Sequence, residues 1–196
     1  MGVPRRGLVA ALFLLLAGCA QSPGFRAPSP PAILSLSPAP AAFRLEGRVS
    51  VRAGEESFSG GMAWRRGAAG DEILLSTPLG QGVAELRSDK EGVSLTDAKG
   101  RSHRAADADS LVRQALGLEL PLRGLAWWVV GHPRPDAPYR AEADQAGRMA
   151  VLEQDDWRID FSRYEPRDGH VLPGKLVARR GDDLDVRLVV DAWELP

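Results

Sequence analysis

A two-residue rhythm runs through most of this chain and limits what it can become. Leu45, Gly47, Val49 and Val51 alternate with Arg44, Glu46, Arg48, Ser50 and Arg52. Successive side chains of an extended strand point to opposite faces, so this stretch has one dry face and one wet face. Ala53-Gly54-Glu55-Glu56 is a turn, after which Phe58, Gly60, Met62 and Trp64 repeat the alternation, as in a hairpin. Similar runs lie at Glu72–Ser76, Gly82–Arg87, Val93–Asp97, Arg101–Ala105, Tyr139–Ala143, Arg148–Gln154, Trp157–Tyr164, Lys175–Arg180 and Leu184–Trp193. Asp155-Asp156 and Asp182-Asp183 fall in turns between them. The pattern predicts a mainly β domain over residues 43–196, with about eleven strands in an antiparallel meander that curls into a barrel or half-barrel.

One segment breaks the rhythm. Leu111, Val112, Ala115 and Leu116 sit at helical spacing within Asp107–Leu116, with Asp107 or Asp109 placed to cap the first turn and Gly117 to end the helix. Pro121–Val130 reads as a second helix, with Pro at its start and Gly131 just past its end. Leu122, Leu125, Trp128 and Val129 share one face of it. Two apolar helices inserted midway through a meander are expected to cover one face of the sheet.

The first residues have a different character. Arg5-Arg6, the apolar run Leu8–Ala17 and then Gly18-Cys19 give the order of an export signal. The run is too short for a bilayer core, which takes about 20 apolar residues. Leu16-Ala17-Gly18-Cys19 is a lipobox. It predicts a signal peptide over residues 1–18 and a mature chain that begins at a lipidated Cys19, the sole cysteine. Ala20, where an aspartate would favour inner-membrane retention, points to the outer membrane. Residues 19–42 are rich in Pro, Ser and Ala and read as a tether, with Ile33, Leu34 and Leu36 as a short docking segment within it.

The inventory of reactive groups argues against catalysis. The chain carries 25 basic and 26 acidic side chains, a formal net charge of −1, and losing Arg5 and Arg6 with the leader makes it more acidic. That balance, with no basic stripe, does not suit nucleic acid. His103, His132 and His170 lie apart, and none has a partner at metal-ligand spacing. Gly169-His170-Val171-Leu172-Pro173-Gly174-Lys175 imitates a phosphate-binding loop, but Leu176 stands where Ser or Thr is needed and a strand follows instead of a helix. No cofactor is expected beyond the covalent lipid on Cys19.

Taken in order, several blocks resemble the LolB family of outer-membrane receptors for lipoproteins. They are Arg48, Ser59–Trp64, Leu74-Leu75-Ser76-Thr77-Pro78-Leu79-Gly80, Leu120-Pro121-Leu122, Leu125–Pro133, Trp157–Tyr164, Leu172-Pro173 and Asp191-Ala192-Trp193. The lipobox separates the chain from the soluble periplasmic carrier LolA, which shares the fold. The family opens with a polar amphipathic helix, whereas the stretch before Phe43 is Pro-rich here.

The resemblance implies an open, curved sheet with helices over its concave side and an apolar cavity for acyl chains between them. Leu45, Val49, Val51, Phe58, Met62, Trp64, Trp157, Ile159 and Phe161 would line the sheet side. Leu122, Leu125 and Trp128 would face them from the helix. The alternation itself is equally compatible with a solid core. The resemblance also implies a monomer at the inner leaflet of the outer membrane, taking acylated lipoproteins from cargo-bearing LolA without nucleotide hydrolysis. Leu79, at the tip of Pro78–Gly82, would serve membrane insertion of that cargo. A lipid-sensing regulator on the same half-barrel, and a hydrolase of envelope lipids or glycans, are the alternatives in other functional classes.

Overall fold

The computed structural model describes residues 33–116 and 121–196. The predicted leader, Cys19 and the first part of the tether lie outside them, as does Gly117. The first six strands are β1 (Phe43–Ala53), β2 (Glu56–Gly67), β3 (Gly70–Ser76), β4 (Gly82–Asp89), β5 (Gly92–Asp97) and β6 (Ser102–Ala105). Helices α1 (Ala108–Leu116) and α2 (Leu122–Trp128) follow. The chain then forms β7 (Tyr139–Ala143), β8 (Met149–Gln154), β9 (Trp157–Ser162), β10 (Glu165–Arg167), β11 (His170–Leu172), β12 (Lys175–Arg180) and β13 (Leu184–Glu194).

Eleven of these strands form one antiparallel sheet in the order β6-β5-β4-β3-β2-β1-β13-β12-β9-β8-β7. The two ends do not pair with each other, so the sheet is open. β13 returns to pair with β1 and joins the two meanders at the centre. Laid flat, ten strand spacings would span about 48 Å. Yet dry-face residues from β5 at one side and from β8 and β9 at the other share a single core with both short helices. A sheet that wide buries one face under so little helix only by curling around it, which makes the expected half-barrel.

The period-two reading holds on the central strands, whereas the edge strands β6 and β7 bury no residue and β12 buries Leu176, Val177 and Ala178 in a row. Leu45, Val49 and Val51 of β1 and Met62 and Trp64 of β2 are buried, while Arg44, Arg48 and Arg65 stand outside. The same face carries Ile73, Leu75, Leu86, Leu95, Leu152, Ile159, Leu176, Val186 and Leu188. On β13 the parity changes: Leu184, Val186 and Leu188 are inward, and so is Trp193. A bulge causes this. Gly47 pairs with Val190 but Glu46 pairs with Ala192, so Asp191 is the extra residue. Arg48 grips it from the wet face, donating Nε to Oδ2 at 3.1 Å and a terminal N–H to Oδ1 at 2.8 Å. Trp193 then meets Phe43, which also meets Trp64, both edge-on, at 5.5 and 5.6 Å between ring centres.

One pair of strands was not foreseen. β10 and β11 form a separate hairpin, turned by Asp168 and Gly169 at positive φ. Glu165-Pro166-Arg167 is wholly exposed and has no alternation to announce it. The same hairpin absorbs the phosphate-loop lookalike. Leu172 is buried, Pro173 accepts the Trp193 indole N–H at 3.2 Å, and Gly174 donates to the Arg163 carbonyl at 2.9 Å. The predicted turn at Asp155-Asp156 is a tight two-residue link with both residues at positive φ.

Curling brings backbones close where the sheet bends. A Cβ built on Gly60 would run into the Ser76 carbonyl oxygen of β3, and one on Gly47 into the Val189 carbonyl oxygen of β13. Neither obstacle is a flexible side chain. Gly60→Ala must therefore push β2 and β3 apart, and is expected to cost about 1–3 kcal/mol. Urea unfolding would measure this, and an unchanged midpoint would show that the strands have room to separate.

Candidate functional site

The sheet's dry face and the helices above it form the candidate site. Of the residues expected there, Leu45, Val49, Val51, Met62, Trp64, Leu122, Leu125, Trp128, Trp157, Ile159 and Phe161 are all buried. Phe58 departs from that expectation. It is only half-buried, packed against the edge of the core near the β1–β2 turn. The remaining eleven belong to a contiguous packed cluster, so in this state the helices sit down on the sheet.

Three polar contacts fix α2 in that position. The first centres on Trp128, whose side chain is wholly buried and stacks at a tilt on Trp157, 6.0 Å between centres. Its indole N–H donates to Gln154 Oε1 at 3.0 Å. Gln154 is 3% exposed, and every capacity of its amide is used. Oε1 also accepts the Arg134 backbone N–H at 2.8 Å, while Nε2 donates to the carbonyls of Arg134 (2.8 Å) and Ala137 (3.1 Å). One glutamine thus ties α2 and the loop after it to β8.

The second contact comes from β2. Arg66 donates to the Ala126 carbonyl at 2.5 Å and lies over the Trp127 ring at 5.8 Å. Asp71 stands beside its Nε at 3.5 Å and accepts the Trp64 indole N–H at 2.9 Å.

The third contact links the two helices. Asp107 caps α1, accepting the Ser110 N–H at 2.8 Å. Hydrogen bonds from the Ser110 backbone and side chain hold its carboxyl below the usual range. Asp109 caps α2 instead of its own helix, accepting the N–H groups of Leu122 at 2.8 Å and Arg123 at 3.4 Å. Sequence spacing placed both aspartates at α1 and offered no sign of this reach.

A second feature is the turn between β3 and β4. Thr77 N–H donates to the Gln81 carbonyl at 2.8 Å, and Gly80 N–H to the Thr77 carbonyl at 2.9 Å, with Gly80 at φ +84°. The turn is closed by its own hydrogen bonds. Leu79 at its tip is 91% exposed and does not fold back onto the domain. The end of the tether is also placed. Leu34 packs against the core, Ser35 donates to the Gly147 carbonyl at 2.8 Å, and the Ser37 carbonyl lies 2.6 Å from His132 Nε2. Ile33 is exposed, so only part of the expected docking segment docks.

The family profile described as outer membrane lipoprotein LolB matches residues 41–193. The chain belongs to the LolB family. It is 41% identical over 190 residues to the outer-membrane lipoprotein LolB of Thiobacillus denitrificans, covering 97% of each chain. It is 39% identical over 153 residues to that of Pseudomonas paraeruginosa, covering 78% of this chain and 74% of the relative. Among solved structures, a LolA superfamily protein from Nitrosomonas europaea superposes with a TM-score of 0.50 at 8% identity, over 79% of this chain and 86% of the other, which is a likeness of fold. Membership makes this LolB-family chain a lipid-anchored outer-membrane protein that serves lipoprotein localisation, in a trafficking family and not an enzyme family.

Asp109 gives this site a pH dependence. Burial is the main influence on its carboxyl and pushes it above the ordinary value, against the two backbone N–H groups that favour the charge. A carboxyl raised in the folded state contributes stability below its unfolded range and loses it as pH climbs through the raised value. Asp109→Asn keeps the acceptor without the charge, so at neutral pH it should match or exceed the parent in stability. The advantage should vanish at about pH 3, where the parent is neutral too. Asp109→Ala removes the cap and should cost about 1 kcal/mol at about pH 3 and less at neutral pH, where the parent carries the desolvated charge. Urea titrations at both pH values would decide.

Proposed function

We propose that this protein accepts triacylated lipoproteins from the periplasmic carrier LolA and inserts them into the inner leaflet of the outer membrane. It does so as a monomer, without nucleotide hydrolysis or any catalytic step. Residues 1–18 are the signal peptide, Cys19 carries the lipid, residues 19–42 tether the domain, and residues 43–196 take the acyl chains. The cavity forms when α1 and α2 lift from the sheet, exposing Leu45, Val49, Val51, Met62, Trp64, Ile159 and Phe161 below and Leu122, Leu125 and Trp128 above, with Phe58 at the rim and Trp157 beside Trp128.

Energetics favour transfer from host to host. Three acyl chains of about fifteen CH₂ groups each, at about 0.8 kcal/mol per group, would cost on the order of 35 kcal/mol to release into water. Between one apolar interior and another the change is small, so a modest gradient of affinity moves the cargo.

The observation that carries this reading is Leu79, a large apolar side chain held out into solvent on a self-closed turn. Exposed turn tips do not normally spend a leucine on water. Leu79→Glu should alter stability by no more than about 0.5 kcal/mol. Uptake of lipoprotein from LolA should persist, because the interior is untouched. Discharge into liposomes should fail, because a carboxylate resists the apolar region beneath the headgroups. Fractionation of a cargo complex after mixing with liposomes reads both steps, and normal discharge would remove the insertion role.

Cys19→Ala behind an ordinary signal peptide should yield a soluble periplasmic domain that still takes cargo, since anchor and cavity are separate. Pull-down of lipoprotein with that variant is the measurement. Loss of binding by a folded variant would show that the anchor takes part in uptake.

A further inference from the structure

The described chain begins at one rim of the half-barrel. Ser35 donates to the Gly147 carbonyl at 2.8 Å, which fastens residues 33–37 as a strap onto the turn between β7 and β8. β7 and β9 flank β8 and run in the same sense, so the β10–β11 hairpin that follows β9 leaves from the same rim. Its stem packs there. The Tyr164 hydroxyl donates to the Met149 carbonyl at 2.6 Å, and Arg148 lies over the Tyr164 ring at 4.8 Å. The Leu79 turn is elsewhere. β3 and β7 stand seven places apart in the antiparallel order, so they run in opposite senses and their following turns lie at opposite rims.

The strap's rim carries unshielded apolar side chains. Ile33 is 87% exposed, Val171 48% and Leu36 38%. The strap is held by the Leu34 side chain and by backbone groups of Ser35 and Ser37, so Ile33 and Leu36 are left over. One exposed aliphatic residue is ordinary. Three at the rim where the anchored end of the chain enters the domain are not. The other large hydrophobics exposed among the described residues lie apart from them. Leu74 is on the convex face beside Ala63 and Glu85, and Tyr139 and Leu79 are at the far rim.

The chain itself shows what meets this rim. Ile33 stands fourteen residues after Cys19, a link of at most about 50 Å when fully extended. An anchor on so short a link holds the domain beside the bilayer at an effective concentration of about millimolar. Apolar contacts too weak to recruit a free protein suffice under that condition.

We propose that the rim bearing Ile33, Leu36 and Val171 rests on the inner leaflet of the outer membrane, with those side chains among the lipid headgroups and Leu79 facing away. This rests on Cys19 as the lipidated residue and does not depend on cargo transfer. The cargo-free protein thus keeps its insertion turn clear of the bilayer and has to roll over, within the reach of its tether, to deliver.

The test uses full-length lipidated protein in liposomes of phosphatidylethanolamine and phosphatidylglycerol, without cargo. Bimane on one introduced cysteine would report quenching by lipids that bear a nitroxide near the headgroup; the lipid on Cys19 blocks that thiol. Labels at Ile33→Cys and Val171→Cys should be quenched roughly threefold more than labels at Leu74→Cys and Lys99→Cys, the last in the β5–β6 turn at the far rim. Ile33→Glu/Val171→Glu should bring a label at Leu36→Cys down to the level of Lys99→Cys without changing the melting temperature, and Leu74→Glu should leave it unchanged. Protein that does not float with the liposomes would overturn the role of Cys19, and the proposal with it. Floating protein with equal quenching at all positions, or with stronger quenching at Lys99→Cys, would overturn the orientation alone. Protection of the rim from aqueous iodide without nitroxide quenching would assign it to a second copy of the chain instead.

Discussion

An eleven-strand sheet with one continuous dry face must find cover, and the described residues offer two helices of nine and seven residues to supply it. Everything else follows from that shortage. The sheet curls until strands from both of its sides reach the same small helical layer. Glycines stand where the curl brings backbones together, and a bulge at Asp191 keeps Trp193 on the inside after the strand has bent. The helices are too short to hold their place through their own hydrogen bonds. Their position rests on burial and on a few polar contacts.

Those contacts have an uneven character. Gln154 is fully buried and fully satisfied, so removing it would strand the Trp128 indole and the Arg134 amide without partners, at about 1–3 kcal/mol each. Arg66 and Asp109 are nearer to solvent, where water is able to replace a lost partner. A helical layer secured by one demanding contact and two replaceable ones suits a lid that must stay shut in water and yield to an apolar guest. In the proposed mechanism, opening would expose the dry face, which is costly in water and nearly free if acyl chains enter as it opens.

The wet face shows the complementary economy of charge. Arg65, Glu72, Arg87 and Glu85 form a ladder across β2, β3 and β4, and Arg158, Asp160, Arg179, Asp185 and Arg187 form another across β9, β12 and β13. Asp185 is buried, but the other pairs are exposed or half-exposed and add little stability individually. They keep the convex surface polar and both signs interleaved.

The sequence alone determined the alternation, and with it the eleven strands of the main sheet, their antiparallel sense and, Phe58 apart, the inward residues of the central strands; the return of β13 to β1 was not written in it. It also placed two helices in the middle and a leucine at a turn tip, because these follow from local spacing and turn chemistry. Even there, the β10–β11 hairpin escaped notice, since three exposed residues carry no periodic signal. The tertiary structure decided the rest. Whether the inward residues make a packed core or an open cavity depends on how far the helices descend, and no period in the chain encodes that distance. The partners of Gln154, Arg66 and Asp109 lie 13 to 60 positions away, so only the curl of the sheet brings them together. Leu79 needed the same resolution: a loop leucine is able to fold inward or stand out, and the closed hydrogen bonding of its turn holds it in solvent.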